Sequence, residues 1–319
     1  MFLCPCCKKK LFFENKKDNI LICKNSSCLL NKRKFPIIKN IPLLVPFGMD
    51  DCIFKEKYFL NEFLNLGIRR TKLSSKNLKI QNFLKNIILG ENQQSRKNFN
   101  YLISKLKRNS KVLIIGGGTI GSGSEEFYSF CSTKKIQIDS IDIYFSENIT
   151  AIADAHYLPF RQNSYNLVIV QAVLEHVINP HRVVDEIYRV LDWDGVVYSE
   201  TPFMQSVHEG PFDFQRFSHS GHRWLFKKFK EVSSGVHHGA FSSLLFILSY
   251  SLSGIFRNKK IGIFLRFLFS KISKLLDNLN NKKSNVDIAC GCYFIGKKSM
   301  NYNYKNLHTY ISDYYEGSQ

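Results

Sequence analysis

Residues 111–115, Lys-Val-Leu-Ile-Ile, form an apolar run suited to a buried parallel strand, and the run stops at a glycine cluster, Gly116-Gly117-Gly118 and then Gly121. Two strand-like segments follow, each closing on an acid. Residues 136–141 end at Asp142, and a shorter segment leads into Asp154 and Ala155. Residues 163–170 read as a fourth strand, with Gln171 directly after it. The stretch 183–191 is periodic at helical spacing and puts Val183, Val184, Ile187, Val190 and Leu191 on one face. A turn at 192–195 leads to a fifth strand at 196–199. Glycines let the backbone approach a ligand closely. A carboxylate about twenty residues further on can bond a ribose diol. The pattern predicts a nucleoside-binding α/β domain.

The segments Ala153-Asp154-Ala155-His156-Tyr157-Leu158-Pro159-Phe160 and Ala172-Val173-Leu174-Glu175-His176-Val177 carry a closer likeness. With the glycine cluster, they make residues 96–235, and a last strand near 286–297, resemble the class I S-adenosylmethionine-dependent methyltransferases. That family implies a Rossmann-like seven-stranded sheet. It implies that Gly116, Gly117, Gly118 and Gly121 cradle the methionine part of the cofactor and that Asp142 holds the ribose hydroxyls. Asp154 and Ala155 would then meet the adenine edge, and Gln171 would line the floor. Three positions depart from the family pattern. Ile114 stands where an acid is usual, Gly121 is displaced by one from the usual third glycine, and Asn166 replaces the Asp that opens the fourth strand.

The N-terminal stretch has a different chemistry. Cys4-Pro5-Cys6-Cys7 and Cys23…Cys28 are two cysteine pairs about fifteen residues apart. The two-residue gap between Cys4 and Cys7 lets both thiolates reach one tetrahedral ion, and Cys23 and Cys28 complete a four-sulfur set; Cys6 is the bystander or a substitute for Cys7. A module of this size has little core of its own, so a structural Zn2+ would supply the missing stability. Followed by Phe35-Pro36-Ile37-Ile38-Lys39-Asn40-Ile41-Pro42, residues 1–47 resemble the small zinc-ribbon activator subunit that partners tRNA, rRNA and release-factor methyltransferases. In that family the module covers apolar surface of its enzyme, so here it would act in cis.

The loop after the fifth strand, residues 200–222, is dense in His, acids, Arg and aromatics. Ligands of open α/β sheets lie beyond the carboxyl ends of the strands, so this is a substrate-side loop. Methyl transfer to a hydroxyl needs a proton acceptor, and a neutral His serves near neutral pH. His208 is the first candidate for that base and His176 the second. Glu209 or Asp213 would orient it, and Arg216 would hold an anionic or hydroxylated substrate. His219 and His222 open a helix expected at 220–229 and cap or pack it. The Thr-Pro-Phe, His, Asp-x-x-Arg-Phe layout resembles bacterial methyltransferases of surface polysaccharide and glycan precursors. An Asn/Asp-Pro-Pro-Tyr/Phe run, usual where amides of nucleic acids and release factors are methylated, is replaced by Gln171-Ala172-Val173-Leu174.

Residues 239–256 carry no charge, and 261–276 are apolar with Arg266, Lys271 and Lys274 spaced along them. The next strand has to rejoin the sheet, which argues against a single membrane crossing. A helical hairpin capping the substrate site, or an interfacial amphipathic pair, fits better. The chain has 319 residues, 44% of them hydrophobic, with a net charge of +19 and nine cysteines. The charge suits an anionic partner, yet it is scattered and the Lys, Asn, Ile and Phe richness suits an AT-rich genome. The first residues lack a signal peptide, so the expected compartment is the cytoplasm, with peripheral contact at the inner face of the membrane. The expected domains are a zinc ribbon at 1–47, a helical linker or cap at 48–95, the methyltransferase domain at 96–300 with an apolar insertion at 236–283, and a tail at 301–319. The expected partner is a small or lipid-linked glycan, with nucleic acid less favoured.

Overall fold

The computed structural model describes residues 2–15, 19–56, 93–119, 121, 123–303 and 315–318. Residues 57–92 of the helical linker or cap expected at 48–95 lie outside these residues. Two sheets organise the rest. The small one is antiparallel, in the order β1 (Leu11–Phe13), β2 (Ile20–Cys23), β3 (Lys34–Ile38) and β4 (Ile41–Pro42).

The large sheet has seven strands in the order β10-β11-β9-β8-β5-β6-β7. They are β5 (Lys111–Ile115), β6 (Gln137–Asp142), β7 (Ala151–Ile152), β8 (Tyr165–Gln171), β9 (Leu191–Pro202), β10 (Lys230–His238) and β11 (Gly291–Lys297). The run from β7 to β9 is parallel, while β11 lies antiparallel to both β9 and β10. The sheet's direction of growth reverses between β5 and β8, which is where α/β sheets hold ligands. The parallel strands are apolar because both faces are covered. Val112 and Ile114 face α1 (Gln93–Lys105) and α2 (Glu125–Thr133) through Phe99, Leu102 and Phe127. Leu113 and Ile115 face α3 (Pro180–Val190) through Val183, Val184 and Ile187. Burying each such side chain stabilises the fold by about 1.5–3 kcal/mol.

The fifth strand begins earlier than its apolar run. The polar 191–195 segment is already part of β9, with an irregularity in its pairing to β8. The last strand starts at Gly291, because 282–287 forms a short helix, α7 (Lys282–Asp287), instead of strand. The boundary expected between 95 and 96 falls inside α1, whose Phe99 and Leu102 are core residues.

The N-terminal module docks on the β7 edge. Leu43 bridges Ile152, Leu44 N donates to the Ile152 carbonyl at 2.7 Å, and Leu3 N donates to Pro159 O at 2.8 Å. Leu11, Phe35 and Leu44 share one core with Ala151, Leu158 and Phe160. Lys8 adds a 2.7 Å ion pair to Glu186 of α3. The module therefore covers apolar surface in cis and closes a sheet edge that would otherwise be open.

Between β10 and β11 stand two long helices, α5 (Ala240–Ile255) and α6 (Lys259–Leu279). Asp277 of α6 caps the start of α5, accepting from Gly239 N at 3.0 Å and Phe241 N at 2.7 Å. The hairpin is packed inside out. Its seam is made of small residues, with Ser243, Ser249, Gly262, Ser270 and Ser273 buried. Its large apolar residues point outward, among them Leu244, Ile247 and Leu248 on α5 and Phe264, Phe267 and Ile272 on α6. Among the described residues, no helix is long and apolar enough to cross a membrane.

Candidate functional site

A cavity of about 580 Å³ opens at the carboxyl ends of β5, β6, β8 and β9, within the usual size range for small-molecule sites. Its wall contains Gly116, Gly121, Asp142, Asp154, Ala155 and Gln171 at one end and His176, His208 and Glu209 at the other.

At the first end the turn after β5 is tight. Gly116 has φ +77°, and a Cβ there would stand 2.3 Å from Val173 Cγ2. A Cβ on Gly118 would come 2.5 Å from Asp142 Oδ2, and that closeness lets Gly118 N donate to the carboxylate at 2.9 Å. Asp142 Oδ1 accepts from Tyr144 N at 3.0 Å. The carboxylate at the tip of β6 is thus fixed by two backbone donors. Gly117 and Gly118 are not in the cavity wall. Gly117 packs on Ser140 of β6, so these two glycines serve the turn and the Asp142 contact, not the cavity surface.

Asp154 is buried, and its Oδ1 takes His156 N at 2.9 Å and the His156 ring Nδ1 at 2.6 Å. The other ring nitrogen of His156 accepts from Asn179 N at 3.2 Å. This arrangement stiffens the Asp154–Ala155 corner. Gln171 at the end of β8 donates through Nε2 to Glu200 Oε2 at 2.9 Å. Glu200 also accepts from Ser95 Oγ of α1 at 2.5 Å and from the Tyr198 hydroxyl. It is a cavity carboxylate that strand periodicity did not single out. Ile114, where an acid was the usual residue, lies in the same wall. Asp51, Ile53 and Phe54 close the cavity from outside the sheet. Phe54 lies 5.8 Å from the Phe212 ring, and Asp51 pairs with Arg182 at 3.0 Å.

At the second end the 3-10 turn Leu174–His176 meets the loop after β9. Phe214 N donates to Glu175 O at 2.8 Å and Gln215 Nε2 to Val177 O at 3.0 Å. The His176 and His208 rings meet edge to face with their Nε2 atoms 3.0 Å apart. Glu175 Oε1 is 3.6 Å from His176 Nε2 and 3.7 Å from His208 Nε2. The Glu175 side chain is fully buried, and neither of its oxygens has a hydrogen-bond partner among the described residues. Burial pushes its carboxyl up to about 8, and burial likewise lowers His176 from the usual imidazole range.

Asp213 lies against His208. Its Oδ2 accepts from His208 N at 2.9 Å and lies 3.3 Å from the ring Nδ1. A hydrogen-bonded Arg216 guanidinium holds Asp213 well below the usual carboxylate range. Arg216 is not placed to meet a substrate. It is outside the cavity wall and spends its donors on Asp213 and on the carbonyls of Gln205, Ser206 and Gln215, pinning the loop. His219 and His222 are buried away from the cavity on α4 (His219–Leu225). There they bond Ser234 Oγ at 3.1 Å and Ser199 Oγ at 2.9 Å.

The four sulfurs of Cys4, Cys7, Cys23 and Cys28 lie within 4.8 Å of one another, with Cys4–Cys28 and Cys7–Cys23 both at 3.7 Å. A tetrahedral zinc with sulfurs at about 2.3 Å has an edge of about 3.8 Å, so the spacing fits that ion. Cys6 is outside the cluster.

Residues 120–199 match a family model described as a methyltransferase domain. Curated relatives are the ubiquinone/menaquinone biosynthesis C-methyltransferases of Neisseria meningitidis and Neisseria gonorrhoeae. Each is 29% identical over 135 residues, which is 38% of this chain and 55% of theirs. The chain thus spans about half the length of the curated relatives it matches. Similar solved structures include a putative sarcosine dimethylglycine methyltransferase from Galdieria sulphuraria, with 17% identity, a TM-score of 0.41, and 65% of this chain and 86% of that one covered. Another is the complex of the Haloferax volcanii Trm112 methyltransferase activator with a putative methyltransferase, with 12% identity, a TM-score of 0.45, and 76% and 98% covered. The large sheet with its covering helices is a Rossmann-like methyltransferase fold.

Proposed function

We propose that the chain is an S-adenosylmethionine-dependent methyltransferase that transfers a methyl group to a hydroxyl of a glycan or related small precursor. The observation that carries this reading is a single cavity with Asp142, Asp154 and Gln171 at one end and His176 and His208, backed by the buried Glu175, at the other. S-adenosylmethionine bound there supplies an electrophilic methyl: an O–CH3 bond forms, the S–CH3 bond breaks, and its electron pair returns to sulfur. Asp142, held by two backbone donors, takes the ribose hydroxyls. Ala155 and the stiffened Asp154 meet the adenine edge. Gly116 and Gly121 leave room for the methionine part, and Glu200 supplies the carboxylate that Ile114 lacks. His208, oriented by Asp213, takes the acceptor's proton together with its neighbour His176.

The four-cysteine cluster holds a structural zinc in this reading, because four thiolates leave no open position for a substrate. The inside-out hairpin supports a lipid-linked acceptor at a membrane surface. Large apolar side chains face outward from a seam of small residues, and Arg257, Lys259 and Lys260 sit at its tip. The hairpin does not cap the cavity, since none of its described residues lines it. The same outward face suits a lipid-soluble acceptor of the kind named for the Neisseria relatives, which is the second reading. Calorimetric titration with S-adenosylmethionine tests the cofactor assignment. Saturable binding that disappears in Asp142→Ala is expected, and equal affinity in that variant removes the ribose assignment. Metal analysis is expected to find one zinc per chain, and a content well below one removes the ribbon assignment.

A further inference from the structure

We infer that Glu175, His176 and His208 hold a divalent first-row metal cation. His176 Nδ1 faces the Phe212 carbonyl at 2.8 Å, which can only accept, so Nδ1 carries the proton. His208 Nδ1 lies 3.3 Å from the Asp213 carboxylate, which Arg216 pairs, so this ring too has an acidic partner on its far side. The two Nε2 atoms face each other 3.0 Å apart, a separation that calls for a proton or a cation between them.

The third donor is Glu175. Its side chain is fully buried and aimed at the same point, and neither oxygen has a hydrogen-bond partner among the described residues. An uncompensated carboxylate in that position is costly, and a cation removes the cost. The distances suit one. Ligand atoms at about 2.1 Å from a metal stand about 3.0 Å apart at right angles and about 3.4 Å apart in a tetrahedron. The observed separations are 3.0, 3.6 and 3.7 Å. A carbonyl and a carboxylate behind the two rings are the outer partners that metal-bound histidines regularly have. Two histidines and one carboxylate favour a transition metal and leave coordination positions open.

The open side faces the cavity, because His176 and His208 are in its wall. The site therefore takes an oxygen of the acceptor, a role that rests on the methyl-transfer reading. With the ion bound the two histidines would hold it and meet the acceptor's hydroxyl through it, and that hydroxyl's proton would pass to cavity water in place of the direct transfer to His208 described above. The site is separate in ligand chemistry from the four-cysteine cluster, which prefers soft, thiolate-binding ions.

The test uses the full-length, zinc-containing protein and Mn2+ as probe, since Mn2+ favours nitrogen and oxygen ligands over four thiolates. Binding is read by electron paramagnetic resonance, with S-adenosylmethionine affinity measured by calorimetry on the same samples. One Mn2+ per chain is expected, weakened at least about tenfold in His208→Asn and in Glu175→Gln, with zinc content unchanged. His208 is partly exposed, so its variant reports even if Glu175→Gln fails to fold. No Mn2+ binding, or equal binding in His208→Asn, overturns the site and leaves a proton shared between the rings as the occupant. Mn2+ binding without S-adenosylmethionine binding keeps the metal site and removes its role in methyl transfer. S-adenosylmethionine binding without Mn2+ binding overturns the metal site and leaves the methyl-transfer reading standing.

Discussion

The two ends of the cavity are built in opposite ways. At the β5–β6 end the polar groups are paired to the backbone: Asp142 to Gly118 N and Tyr144 N, and Asp154 to His156 N. At the β9 loop end the acid–base groups face one another across short gaps, and Glu175 is buried with no partner. In the proposed reading the first end is a rigid mould for a ligand that is the same in every turnover. The second end, with its facing ring nitrogens and buried Glu175, is the part that meets a proton, a cation or an acceptor oxygen. Preorganised binding and reactive incompleteness thus sit in one cavity because different elements make them. One end is set by strand tips, and the other by a 3-10 turn pinned to a loop.

The most severe way to break this contrast is at the mould. Asp142→Ala removes a carboxylate expected to make two charge-assisted bonds. At about 2 kcal/mol each, cofactor affinity should fall by about 1,000-fold in calorimetry. A change confined to the other end should leave affinity alone. His208→Ala should lower the transfer rate by about 100-fold while the dissociation constant for S-adenosylmethionine stays within a few-fold in single-turnover and calorimetric assays. Gly118→Ala sharpens the comparison from inside the mould. Its Cβ would come 2.5 Å from Asp142 Oδ2, so affinity should drop by about tenfold and the melting temperature should fall, from about 1–3 kcal/mol of strain.

The smallest effect is on pH. His222 is buried against Ser199 of β9 and Phe226, and burial holds its pKa down to about 3. The unfolded chain binds a proton on this residue below about pH 6.5, which the folded chain refuses. Stability from this group is therefore complete above pH 6.5 and is lost as pH falls from there toward 3, by at most about 1.4 kcal/mol per pH unit. His222→Gln should flatten the decline in melting temperature between pH 7 and pH 5, and an unchanged slope would remove this explanation.

Much of the mould is legible in the chain. Strand-to-glycine punctuation and acids at strand ends are local signals, so Asp142, Asp154 and Gln171 could be found from spacing. The reactive end is less legible because its decisive facts are non-local. Glu175 sits in Leu-Glu-His and reads as an ordinary polar residue. It is buried only because residues 208–216 fold over the turn, with Phe214 and Gln215 bonding its backbone. The place of His208 beyond β9 is legible from its position in the chain, but its contact with His176 needs two loops in register. Arg216 read as a substrate ligand because its donors to Gln205 and Ser206 carbonyls depend on the loop's path. Glu200 and the Asp51–Phe54 closure are likewise visible only once α1 and the N-terminal module are docked. The docking itself is what the resemblance of residues 1–47 to the zinc-ribbon activator subunit implies.

The most direct test of the central claim uses methyl-labelled S-adenosylmethionine. The full-length protein is incubated with extract of its source organism lacking the gene, and RNA, protein, lipid and soluble fractions are separated. Label in a lipid-linked or soluble glycan fraction, lost in both Asp142→Ala and His208→Ala, is the predicted result. Label in RNA or protein, or transfer that survives His208→Ala at full rate, would contradict it.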